Sequence, residues 1–167
     1  MGSTNEVREA TNEVREATVE DAAEIHGLVR ELAQEVGDAP PGEESVRARL
    51  GELLEEPRAR VLVAEGESGI VGAASLWIKP DLAHGDAAVE VPMLVVAEGH
   101  RREGVGRLLM AEVRKVAASS EATLIELVAT SANVAAREFY NSLGFVEADV
   151  VSLEFVGFQE DVQEDAT

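Results

Sequence analysis

The sequence contains no cysteine. That absence excludes disulfides, thiolate metal sites and a cysteine nucleophile, and it fits a reducing cytoplasm. Histidine is scarce: His26, His84 and His100 are scattered with no HxxxH spacing, so no metal is expected. No apolar run reaches the roughly 18 residues that a membrane span requires. The start, Met1 to Glu6, lacks the basic and apolar regions of a secretory leader, so a cytoplasmic protein with no membrane partner is expected. Lysine is almost missing too, with Lys79 and Lys115 the only two.

What is present is acid. Thirty-three Asp and Glu against fourteen Lys and Arg leave a net charge of −19. This argues against nucleic acid as a partner, because its binding draws on Lys and Arg. Such a field would attract cationic substrates such as polyamines, aminoglycosides or basic peptides. A solvated acidic surface from a salt-loving source accounts for it equally well. The length of 167 residues suits one domain with an ordinary core.

The N-terminus carries a tandem heptad, Thr4 to Ala10 copied at once as Thr11 to Ala17. Residues 1–10 read as a redundant, disordered copy, 11–156 as one domain, and 157–167 as a frayed acidic tail. The second copy should form the first strand. Thr18 and Asp21 make a capping-box start, and Ile25, Leu28, Val29, Leu32 and Val36 share one helical face before a stop at Gly37. After Pro40-Pro41-Gly42 a second helix holds Val46, Leu50, Leu53 and Leu54.

Arg60 to Ala64 and Ile70 to Ile78 read as a hairpin across the Glu67-Ser68-Gly69 turn. A loop through Pro80 and His84-Gly85-Asp86 leads to a strand from Ala88 to Val96. Pro92 has no N–H to give a ladder, which predicts an edge or a bulge there. A helix with Val105, Leu108, Leu109, Val113 and Val116 inside follows. Thr123 to Val128 reads as a strand, Val134 to Leu143 as a helix closed by Gly144, and Phe145 to Phe155 as one or two last strands. The order describes a mixed α/β layer with helices covering a sheet.

The most informative stretch is the turn Val96-Ala97-Glu98-Gly99-His100-Arg101-Arg102-Glu103-Gly104-Val105-Gly106-Arg107. A helix start has unpaired N–H groups and the positive end of the dipole, so it suits an anion. Glycines at 104 and 106 let a phosphate approach the backbone. Five of the fourteen basic residues fall between Arg101 and Lys115, a local reversal of charge. A P-loop is rejected because Val105-Gly106 stands where Lys-Ser/Thr belongs. A dinucleotide fingerprint is rejected because Leu occupies position 109. A plain glycine-stiffened turn is the competing reading.

Arg101-x-x-Gly104-x-Gly106 after a Leu-Val-Val strand resembles the pyrophosphate motif of the GNAT superfamily of acyl-CoA-dependent N-acetyltransferases. About thirty residues on, Asn133-x-x-Ala136-x-x-Phe139-Tyr140-x-x-Leu143-Gly144-Phe145 resembles the family's second hallmark. The resemblance runs from about Val14 to Phe155. It implies a GNAT-like single domain: a mixed, mostly antiparallel central sheet splayed at strands 4 and 5 and flanked by about four helices. Glu98 stands where the family commonly has proline, and it is expected to point outward.

The resemblance also implies roles. Acetyl-CoA is the co-substrate, with no metal. Main-chain groups of Leu94 and Val96 would pair with the pantetheine arm, and Val95 between them belongs to the coenzyme set. Amides of Arg101, Arg102, Glu103, Gly104, Val105 and Gly106 would hold the pyrophosphate, helped by the Arg101 and Arg102 side chains, with Arg107 also in the coenzyme set. Asn133 and Arg137 complete the coenzyme set. An N–H near Val96 would stabilise the oxyanion.

Tyr140 is the candidate general acid, since a phenol of pKa about 10 can protonate a departing thiolate. Its competing reading is a core aromatic. Glu90, by its spacing before Arg101, and Glu126, on the next strand, are rival bases, with a water chain or plain solvated carboxylates as alternatives. A bulge at Pro92 would decide which face Glu90 occupies.

The reading is transfer of acetyl to a primary amine of a small, cationic acceptor by direct attack in a ternary complex. The alternatives are a protein or peptide N-acetyltransferase and a non-catalytic acyl-CoA sensor. A homodimer would follow the family's habit.

Overall fold

A computed structural model describes residues 11–155. The first heptad copy (1–10) and the acidic tail from 157 lie outside the described residues. Strand β1 is Glu13–Glu16, so the second copy of the repeat is the first strand. The backbone N–H of Thr18 then donates to Asp21 Oδ2 at 2.7 Å, closing the turn that opens helix α1, Ala22–Val36. Gly37 ends α1 in the left-handed region (φ 79°), where glycine carries no Cβ penalty.

Helix α2 is Glu43–Glu55, followed by β2 (Ala59–Gly66), β3 (Gly69–Asp81) and β4 (Asp86–Val96). Helix α3 (Val105–Ser119) crosses to β5 (Ala122–Glu126), and α4 (Val134–Ser142) comes last. The five strands stand in chain order, antiparallel as far as β4, with β5 parallel to β4. The class is mixed α/β, as the sequence predicted. Parallel neighbours need a long crossover, and α3 supplies it.

Along the chain there are two compact units, divided between Thr130 and Ser131. The first holds the sheet and α1–α3; the second holds α4 and the segment after it. One sheet face packs Val61, Val63, Ala73 and Val95 under Ile25 and Leu28 of α1 and Leu50 of α2. The other face meets α3, where a Cβ on Gly72 would lie 2.9 Å from Val105 Cγ1 and 3.2 Å from Leu109 Cδ1. Each large, fully buried side chain there, such as Leu76 or Leu109, contributes roughly 1.5–3 kcal/mol.

Several expectations are corrected. Val36, Leu54 and Leu108 are exposed; they lie at the margins of their stripes, and Ala33, Met110 and Ala117 are buried instead. Pro80 belongs to β3, because the β3–β4 ladder runs out to the pair Asp81/Asp86 and shortens the expected loop to a tight hairpin. β5 ends at Glu126 rather than Val128, where its pairing with β4 stops. Among the described residues, 145–155 form no strand, since a strand exists only where a neighbour completes its ladder.

Candidate functional site

The site in the first unit begins with the predicted irregularity at Pro92. Ser75 pairs with Met93 and Trp77 with Glu90, so Val91 and Pro92 together face the single residue Leu76. That is a bulge on β4. Side chains alternate along a strand, and a bulge resets the alternation. Met93 and Val95 join the core under α1. Because of the extra residue, Glu90 returns to that same face instead of pointing at α3.

Glu90 is also the last β4 residue paired to β5, and its partner is Glu126. The two rival bases therefore stand opposite each other at the end of the parallel ladder. Between them reaches Lys79 of β3, whose Nζ donates to Glu90 Oε2 at 3.0 Å and to Glu126 Oε1 at 3.1 Å. All three side chains are between about a third and a half exposed, so solvent screens the group. The hydrogen bond to Glu90 first, then that to Glu126, raises the Lys79 ammonium above its ordinary range.

Beyond Glu90, β4 runs on from Val91 to Val96 with β3 on one side and, among the described residues, no strand on the other. This is the splay expected at strands 4 and 5. The Ala97 N–H donates to the Val71 carbonyl at 2.8 Å. Hydrogen-bonded and non-bonded pairs alternate in an antiparallel ladder, so Val95 and Met93 also bond to β3. Leu94 and Val96, lying between them, turn their main-chain groups to the open edge. The Val96 carbonyl there accepts from Arg101 Nε at 3.2 Å. Val95 differs from its two neighbours: its amide serves β3 and its side chain is buried.

After β4 a single 3-10 turn, Glu98–His100, leads to α3. Glu98 is exposed, and its N–H donates to Glu31 Oε2 of α1 at 2.9 Å. The Arg101 guanidinium forms an ion pair with Glu35, also on α1. Arg102 and Gly104 both have positive φ, 64° and 84°, and Gly104 caps α3 with nothing within 4 Å of where a Cβ would stand. Successive amides with such alternation make an anion-binding concavity, here beside the positive end of a fifteen-residue helix. Arg101, Arg102, Glu103 and Arg107 are exposed, Gly106 is half-buried, and Val105 is buried against the sheet.

In the second unit, Asn133 is the N-cap of α4, its Oδ1 accepting from the Ala136 N–H at 3.0 Å. Arg137 clasps Glu147 at 2.7 and 3.0 Å and donates to the Ser131 carbonyl at 3.0 Å. Tyr140 is half-buried with Phe139 and Phe145 packed edge-on, ring centroids 5.1 and 5.7 Å away. Burial raises its phenol above the usual tyrosine range, so Tyr140 carries its proton at neutral pH.

The structure thus brings Glu90 and Glu126 together and sets Leu94, Val96 and the 101–106 turn along one edge. Sequence reasoning missed Lys79 as a member of this group. The signal was there in the rarity of lysine, but only the β3–β4 register puts residue 79 beside residue 90.

Residues 57–147 match the model of the acetyltransferase (GNAT) domain. Over 98 residues the chain is 35% identical to an uncharacterised N-acetyltransferase of Mycobacterium bovis, a match covering 59% of this chain and 60% of that relative. A transcriptional regulator from Bacillus halodurans C-125 shares the fold with a TM-score of 0.78 at 21% identity, covering 87% of this chain and 99% of the other. Glucosamine-6-phosphate N-acetyltransferase from Arabidopsis thaliana superposes with a TM-score of 0.74 at 17% identity, covering 88% and 99%. The family model takes in the bulged strand, the glycine turn and the Asn133–Phe145 motif together, and the chain belongs to the GNAT acetyltransferase family.

Proposed function

We propose that this protein transfers an acetyl group from acetyl-CoA to a primary amine of a small, cationic acceptor, by direct attack with both substrates bound. The observation that carries the proposal is the pair Glu90 and Glu126, side by side where β4 parts from β5 and its main chain turns outward. The residues of the edge fit the coenzyme. Outward groups on Leu94 and Val96 suit the amides of a pantetheine arm, and the Arg102–Gly104 concavity at the start of α3 suits a pyrophosphate. Family resemblance adds Asn133 and Arg137 to that set.

The coenzyme supplies an acetyl thioester. The chain must remove a proton from the acceptor, since an alkyl ammonium has a pKa of about 10. Glu90 or Glu126 accepts it, directly or through water. Tyr140 holds a proton for the departing thiolate, in keeping with its raised phenol. With no cysteine to carry the acetyl group between substrates, direct attack is the simpler route. The net charge of −19 and the acids Asp81 and Asp86 at the β3–β4 hairpin favour a cationic acceptor.

Release of free CoA from acetyl-CoA, followed across polyamines, aminoglycosides, amino acids and basic peptides, tests the reading. Turnover is expected on a cationic small molecule. Tyr140→Phe should lower kcat by roughly 10²–10⁴-fold, as should Gln at whichever of Glu90 and Glu126 is the base. Turnover on peptides alone would select the peptide enzyme. Binding of acetyl-CoA without release on any amine would select the sensor.

A further inference from the structure

We propose that Lys79 is a site of self-acetylation, its amine held on the carboxylates that serve the acceptor. The inference rests on the coenzyme use proposed above. Lys79 offers the acceptor chemistry itself, a primary amine, with Nζ 3.0 Å from Glu90 and 3.1 Å from Glu126. Its side chain is 47% exposed, so a donor lying along the open β4 edge has access to it.

The step balances. The Lys79 ammonium loses two protons, one through Glu90 or Glu126 to solvent and one to the departing thiol. The neutral amine attacks the thioester carbonyl carbon, the C–N bond forms and the C–S bond breaks. The products are acetyl-Lys79 and free CoA. Acetylation removes the positive charge between Glu90 and Glu126, so the modified site holds a cationic acceptor more strongly.

Lys115 provides an internal comparison. It is the other lysine of the chain, 74% exposed on α3, with Glu112 at 2.9 Å. Undirected chemistry labels the more exposed amine first. Selective labelling of the less exposed one therefore reports the site.

The experiment incubates the full chain with acetyl-CoA and no added amine, then maps acetyl groups by peptide mass spectrometry after cleavage at glutamate. Acetic anhydride serves as the undirected reagent, and calorimetry on the same preparation measures acetyl-CoA binding. Acetyl is expected on Lys79 ahead of Lys115, with the order reversed for acetic anhydride. In Glu90→Gln/Glu126→Gln, Lys79 labelling should fall by roughly a hundredfold while Lys115 stays unchanged. Lys79→Arg keeps the charge and should abolish the modification.

Lys79 labelled no faster than Lys115, or equally in the double variant, overturns the inference. If acetyl-CoA binds and Lys79 stays unmodified, self-acetylation alone is wrong. If acetyl-CoA does not bind, the coenzyme reading falls with it.

Discussion

Asp21 shows how one residue secures the entry to the sheet. Among the described residues it is the buried charged one, accepting from Arg15 at 2.8 and 2.9 Å and from the Thr18 N–H at 2.7 Å. Hydrogen bonding to Arg15 is the largest influence that holds its carboxyl below the usual aspartate range. A carboxylate with a depressed folded pKa stabilises fully above its unfolded value, about 3.9, and loses that contribution as pH falls through the folded value. Asp21→Ala should cost about 2 kcal/mol at neutral pH, the scale of a hydrogen bond to a charged group. Urea unfolding of the two proteins should converge as pH drops below about 4. A constant gap down to the acid limit would mean that packing, not charge, carries the effect. The capping box was legible in Thr18-x-x-Asp21. Arg15 as its partner was not, because the pairing needs β1 folded back beside the helix start.

Among elements, the contact between β3 and α3 sets where the glycine turn stands. Gly72 leaves room for Val105 and Leu109, and an added Cβ would also lie 3.2 Å from the Val95 carbonyl. Gly72→Ala should destabilise by about 1–3 kcal/mol through overpacking, and it should weaken acetyl-CoA binding by displacing the first turn of α3. Denaturant titration and calorimetry would check both; full stability in the variant would show that the helix shifts without cost. The strands were readable from alternation and turn chemistry, and Pro92 announced its bulge. What the bulge does to Glu90 follows only from the register, since one residue's slip reverses the face.

For the whole molecule the dominant quantity is charge. Like charges spread over a small surface repel one another, and added salt screens that repulsion over a Debye length of about 10 Å at 0.1 M. The melting temperature should therefore rise with sodium chloride. The KM of a cationic acceptor should rise over the same range as its attraction is screened. A melting temperature that falls with salt would instead credit the surface ion pairs, such as Arg49–Glu52, with a larger share of stability.

The sequence by itself determined the class of fold, the order of elements as far as α4, the glycine turn at a helix start and the family. These depend on periodicity, turn residues and local motifs, which a linear chain displays. Only the tertiary structure decided that Glu90 and Glu126 share a register and which face of the sheet Glu90 occupies. It alone decided that Lys79 spans the two acids and that residues 145–155 make no strand among those described. Each of these depends on which strand lies beside which, and at what offset. Pairing across strands is a contact between distant parts of the chain, so the linear pattern leaves it open until the sheet is assembled.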